Sequence, residues 1–154
     1  MEQTIKYIKR TRELFLTLIE ALSIEQINKI PQGFNNNIVW NFGHMLISTQ
    51  ALCYLRSAVD PGIEIMYLSA YQKGSKPGAF VSEEGFGVLK QIAVSSMDKI
   101  ERDLKNGVFN VIPNAFTTAT YGFEMATFEE IIACCLAHES MHLGYASAIK
   151  RAVA

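Results

Sequence analysis

Three histidines hold all the imidazole chemistry of this chain: His44, His138 and His142. The last two stand four residues apart in TFEEIIACCLAHESMHLGYASAIKR. On a helix that spacing puts their Cβ atoms about 5–6 Å apart on one face, close enough to share a metal ion. His44 lies far upstream in NNNIVWNFGHM. Three neutral imidazoles meeting from two facing helices are satisfied by a divalent ion at about 2.0–2.1 Å per nitrogen, and coordination positions stay free for water or substrate. Zinc, nickel, copper and iron all suit such a donor set. Free imidazoles titrate near pH 6.5, so the ion is expected to leave as the pH falls through about 6–6.5.

Each neighbour of the histidines has a plainer reading beside the chemical one. HESMH also fits the H-E-x-x-H pattern of zinc proteases, with Glu139 as general base, but that fold needs a substrate-aligning strand and a further ligand, and little chain follows His142. Glu139 lies about 100° round the helix from His138, where it either orients a metal-bound water or is simply solvated. Asn37, Asn41, His44 and Ser48 form a polar line flanked by Trp40 and Ala51, which makes Asn41 and Trp40 candidate substrate contacts or supports of the ligands. The plain reading is a buried histidine and asparagine bonded to each other or to backbone. Tyr145 either points its hydroxyl into the cavity or is a core aromatic. Cys134 sits one turn before His138, beside Cys135; buried cysteines usually act as small hydrophobes, so both stay outside the site. Met45, Met97 and Met141 read as core filler.

Four long helices are expected to carry these residues. The first runs from about Glu2 to Leu22, with Ile5, Ile8, Phe15, Ile19 and Leu22 on one stripe. Ser23 and Gln26 resemble a capping box for a short turn that Pro31 and Gly33 end. The second, about Asn37 to Ala58, is apolar almost all round, as suits a helix that is central or lies at a subunit interface; a homodimer follows from the latter. Val59 to Val81 is long and irregular, and Tyr67, Leu68, Tyr71 and Phe80 point to a packed loop or a crossover between parallel helices. Ser82 caps the third helix, about Glu83 to Lys105, which Asn106-Gly107 stops. Aromatic residues between Val108 and Ala126 are expected to pack over one end. Thr127 and Glu130 form a capping box for the fourth helix, which runs to Arg151. Its core stripe is read as Phe128, Ile131, Cys135, His138, His142, Tyr145 and Ile149. The expected fold is all-α, a four-helix bundle with one crossover, in a single domain over residues 1–154.

Composition removes several classes of function. The net charge of −1 with scattered Lys and Arg gives no basic patch for nucleic acid. The N-terminus lacks the apolar core of a signal peptide, and no apolar run approaches the roughly 18 residues of a membrane span. Three cysteines, two of them adjacent, form no disulfide framework and suggest a cytoplasmic protein.

The segment NNNIVWNFGHM, followed much later by HESMHLGYASAIKR, resembles the DinB-like (YfiT-type) superfamily of metal-dependent enzymes. The likeness covers most of the chain: a W-N-x-G-H segment on the second helix, a T-x-x-E start to the fourth, and H-x-x-x-H followed by glycine. It implies an up-down-down-up bundle, usually a homodimer. It also implies a nickel or zinc ion held by one histidine of helix two and two of helix four, here His44, His138 and His142. Some such relatives are transferases that use low-molecular-weight thiols, or thiol-dependent isomerases. The chain is therefore expected to act on a small molecule as a thiol-dependent S-transferase or a hydrolase. The rival is a non-catalytic metal-binding dimer. Tyr145 departs from the pattern, since relatives often carry glutamine after the glycine.

Overall fold

Caps written in the sequence set where most of the long helices begin. The structure, a computed structural model, describes residues 1–153, which are mostly helical. Helix α1 spans Glu2–Glu20, and α2 (Ile24–Asn28) opens on the expected box, with Ser23 Oγ accepting from the Gln26 N–H and Gln26 Oε1 from the Ser23 N–H. Asn37 Oδ1 accepts from the Trp40 N–H at 2.8 Å and starts α3 (Ile38–Gln50). Ser82 caps α5 (Glu83–Lys105), and the reciprocal Thr127–Glu130 bonds start α6 (Phe128–Val153). Each such cap satisfies backbone donors that the first helical turn leaves unpaired.

Helix α3 does not continue as an α-helix to Ala58. From Ala51 to Arg56 it widens into a π-helical segment, and the Val59 N–H reaches Tyr54 O, five residues back, at 2.9 Å. The irregular stretch that follows contains the one-turn helix α4 (Leu68–Tyr71). A minimal antiparallel hairpin, β1 (Phe116–Thr117) with β2 (Glu124–Met125), precedes α6 and was not anticipated.

Pair contacts fix how the long helices run. Met1 lies beside Glu129 at one end of α1 and Gln26 bonds Val153 O beyond the other, so α1 and α6 point the same way. Lys9 pairs with Glu101 and Glu20 with Lys90, so α5 runs opposite to α1. Phe42 meets Phe86, and Tyr54 bonds Asp103, so α3 runs with α5. Ile38 through Ile47 are all buried, because α3 packs against α1, α5 and α6 together. Its all-round apolarity is thus accounted for within one chain.

The core has two apolar layers. Phe15, Phe42, Met45, Leu89 and Ile149 belong to one; Ile8, Met97, Ile100, Phe109, Phe128 and Ile131 belong to the other. Between them each long helix contributes one polar residue: Arg12 from α1, Thr49 from α3, Ser96 from α5 and Glu139 from α6. Tyr71, Phe109 and Phe116 pack inward as expected, but Phe80 and Phe123 are exposed. No helix among the described residues is long and apolar enough to cross a membrane.

Candidate metal centre

The three imidazoles meet. Atoms of His44, His138 and His142 able to bind a metal lie within 4.8 Å of one another. His44 comes from the middle of α3 and the other two from successive turns of α6, which runs antiparallel to α3. The rings of His138 and His142 are 4.5 Å apart at their centroids, and both lie near His44.

Hydrogen bonds choose which nitrogen of each ring faces the common point. His44 Nδ1 is 2.6 Å from Tyr71 O; a carbonyl only accepts, so Nδ1 carries the proton and Nε2 the lone pair. His142 Nδ1 is 2.8 Å from Asn41 Oδ1. The Asn41 amide is itself oriented, because its Nδ2 donates to Asn37 O at 2.7 Å. The oxygen therefore faces the ring, Nδ1–H donates to it, and Nε2 is again left with its lone pair. Support of this kind, through the ring nitrogen remote from the metal, is general at histidine metal sites.

The third ring tests whether the set fits an ion. His138 Nε2 is 3.1 Å from His142 Nε2, while its buried Nδ1 has no partner. If Nδ1 holds the proton, two lone pairs face each other, a repulsion that a cation between them removes. Nitrogens bound to one ion at about 2.0–2.1 Å with tetrahedral angles stand roughly 3.3 Å apart, near the observed separation. The residues present can hold a divalent metal.

Burial keeps the rings neutral. It lowers the pKa of His138 to about 4 and of His142 to about 3, with neighbouring histidines adding to the effect. His44 is lowered too by burial, against the opposing pull of the Tyr71 carbonyl. Protons therefore compete for these nitrogens less well than at free imidazole, so an ion held here would be expected to leave below the pH 6–6.5 read from free imidazole.

The W-N-x-G-H segment now has a physical meaning. Trp40 stacks on His44 with centroids 4.7 Å apart and an interplanar angle of 9°. Asn41 holds His142. A Cβ on Gly43 would lie 2.5 Å from the Tyr71 ring, so only glycine lets Tyr71 approach closely enough to place its carbonyl on His44. Tyr71 itself was missed from the sequence, since a backbone oxygen has no side-chain signature; Gly43 was the available clue.

Other expected residues fall elsewhere. Glu139 is neither solvated nor turned to the rings: it is 0% exposed, and its carboxylate takes Arg12 Nε and Nη2 and the Thr49 hydroxyl. Arg12 also donates to Ala93 O and Ser96 Oγ. The buried stripe of α6 thus passes through Ile132, Cys135, Glu139, Ala146 and Ile149, and the two histidines flank it. Tyr145 is exposed, packs edge-on against Phe34 and does not line the cavity over the histidines. Met141 is exposed and lines the cavity rather than filling the core. Cys134 lines it as well, and burial raises its thiol pKa, which disfavours a thiolate ligand.

That cavity, of about 400 Å³, opens over His44, His138 and His142 and is walled mainly by Ile47, Leu52, Leu55, Leu68 and Met141. Small-molecule sites have this size and mixture of apolar wall and convergent polar groups. No curated protein matches the chain. A profile of the DinB superfamily matches residues 7–146, from early α1 through most of α6 and across all three histidines, and by that match the chain belongs to the DinB superfamily.

Proposed function

We propose that this chain is a divalent-metal-dependent enzyme that acts on a small molecule, with His44, His138 and His142 as ligands. One observation carries the reading: Tyr71 O and Asn41 Oδ1 each take the Nδ1–H of one ring, which leaves the Nε2 lone pairs of His44 and His142 as acceptors in a cluster whose ligand atoms lie within 4.8 Å of one another. When bound, a zinc or nickel ion supplies a Lewis acid that lowers the pKa of a water or a thiol. The chain's own part is to keep the imidazoles neutral by burial, to fix the His44 plane against Trp40, and to present an apolar chamber to the reactants. Thiol-dependent S-transfer, with a low-molecular-weight thiol as co-substrate, and hydrolysis both suit such a chamber.

Two rivals fare worse. A purely structural metal site is closed by protein groups, whereas this cluster borders an open cavity. A zinc-protease mechanism needs Glu139 as base, and its carboxylate is committed to Arg12 and Thr49. We also read the fold as a single up-down-down-up four-helix bundle over residues 1–154, a reading supported by the helix directions and the long α3–α5 connection. A cytoplasmic homodimer completes the proposal. It is supported by family likeness and by three free cysteines, and light scattering will measure the subunit number.

Elemental analysis tests the ligand set. Wild-type protein should carry one zinc or nickel per chain, and His142→Ala none, with helicity retained. Full occupancy in that variant contradicts the assignment. A screen of thiols against electrophiles then tests the reaction class.

A further inference from the structure

The cavity over the three histidines is cationic at two positions that the metal reading does not use. Arg56 and Lys73 both line it, and no Asp or Glu does, in a chain whose net charge is −1. Neither cation is within ion-pair distance of a carboxylate among the described residues. Glu124 and Glu130 line the neighbouring groove, on the far side of Thr118, Tyr121 and Cys134, and Glu130 is taken up by the Thr127 cap.

Arg56 is held in place before any ligand arrives. It is the last residue of the π-helical segment, and such widened turns recur at functional sites. Its Nη2 donates to Thr117 O at 2.9 Å, and its guanidinium lies 5.0 Å from the centre of the Phe116 ring. One bond uses little of a group with five N–H donors in a planar fork suited to a carboxylate. An oxyanion supplies the acceptor that the spare Arg56 donors can use, and the aliphatic wall accepts a non-polar body.

We propose that Arg56 and Lys73 form an oxyanion subsite, so that this cavity takes a small organic anion: a carboxylate head on an apolar body. This deepens the enzyme reading by naming the substrate class of the same cavity, and it rests on that cavity being the substrate site. The selectivity comes from the cations and not from the metal.

Calorimetric titration of the full chain at low salt, with hexanoate and its neutral isostere hexanamide, tests this. Wild-type protein should bind hexanoate about tenfold more tightly than hexanamide, as expected for two solvent-accessible charge contacts. Arg56→Gln/Lys73→Gln should erase the preference at unchanged metal stoichiometry. Because Arg56 also braces the hairpin, Lys73→Glu serves as a second variant: Lys73 makes no ion pair among the described residues, and the change should weaken hexanoate alone. His142→Ala should keep the preference. If hexanoate loses its advantage in His142→Ala but keeps it in the double variant, the anion binds the metal; the subsite is then wrong and the metal reading stands. A cation-dependent preference in a chain that binds no metal supports the subsite and removes the metal reading. Equal affinity for both probes, or binding of neither, overturns the proposal.

Discussion

Adjacent residues of α6 belong to two buried polar clusters that are built in opposite ways. Glu139 sits in a closed network, where Arg12, Thr49 and Ser96 satisfy one another across all four long helices. His138, one residue earlier, belongs to a cluster that its own bonds do not close: its Nδ1 is unpaired and its Nε2 faces another imidazole Nε2. A network that closes on itself has no capacity left for a ligand, and its work is to hold the helices in register. Three neutral imidazoles whose nitrogens come this close to one another are instead suited by charge and spacing to hold a divalent cation. The same helix therefore carries frame and site, separated by about 100° of rotation.

That contrast can be broken at either cluster. Glu139→Gln strands the Arg12 charge in the core and should cost about 3–5 kcal/mol in urea unfolding, while replacing both Arg12 and Glu139 with apolar residues should recover most of it. Metal binding by the double variant should persist if the network is only a frame. His138→Ala should leave the metal-free protein within about 1 kcal/mol of wild type. It should, however, remove the metal-dependent stabilisation, about 2.7 kcal/mol at a free metal concentration of 100 Kd. Calorimetric melts with and without zinc separate the two effects.

Smaller effects are expected one layer out. Asn41→Ala frees the His142 ring, and Gly43→Ala drives Tyr71 away from His44. Each should weaken zinc binding about 10–100-fold without loss of helicity, measured by chelator competition. Unchanged affinity in both would mean that the tautomer lock is dispensable. His138 and His142 titrate at about 4 and about 3 in the folded chain, below the ordinary 6.5. The unfolded chain thus takes up protons first, so the contribution of these rings makes metal-free stability fall as the pH drops from about 6.5 toward 3. Stability rising over that window would contradict the burial of neutral rings.

The histidine pair, the caps at Ser23, Asn37, Ser82 and Thr127, and the four long helices were legible because each is a local pattern. The face on which Glu139 lies was not. Helical periodicity grouped His138 and His142 with the apolar stripe, because a carboxylate in the core makes sense only once its partner, distant along the chain, is known. A trace of it was present: Arg12 falls between Ile8 and Phe15 on the stripe of α1, where a lone charge requires an opposite one. The π-helical segment and the cations it helps gather leave no mark in residue type, since they depend on how α3 meets the hairpin. Tyr145 and Met141 were misplaced for a related reason, as spacing alone does not say where a stripe ends and a cavity begins.

The most direct measurement is X-ray absorption of the zinc- or nickel-loaded protein. Three imidazole nitrogens at about 2.0–2.1 Å, with oxygen from water completing the sphere, is the predicted result. A sphere with two imidazoles, or with a sulfur from Cys134 at about 2.3 Å, would contradict it.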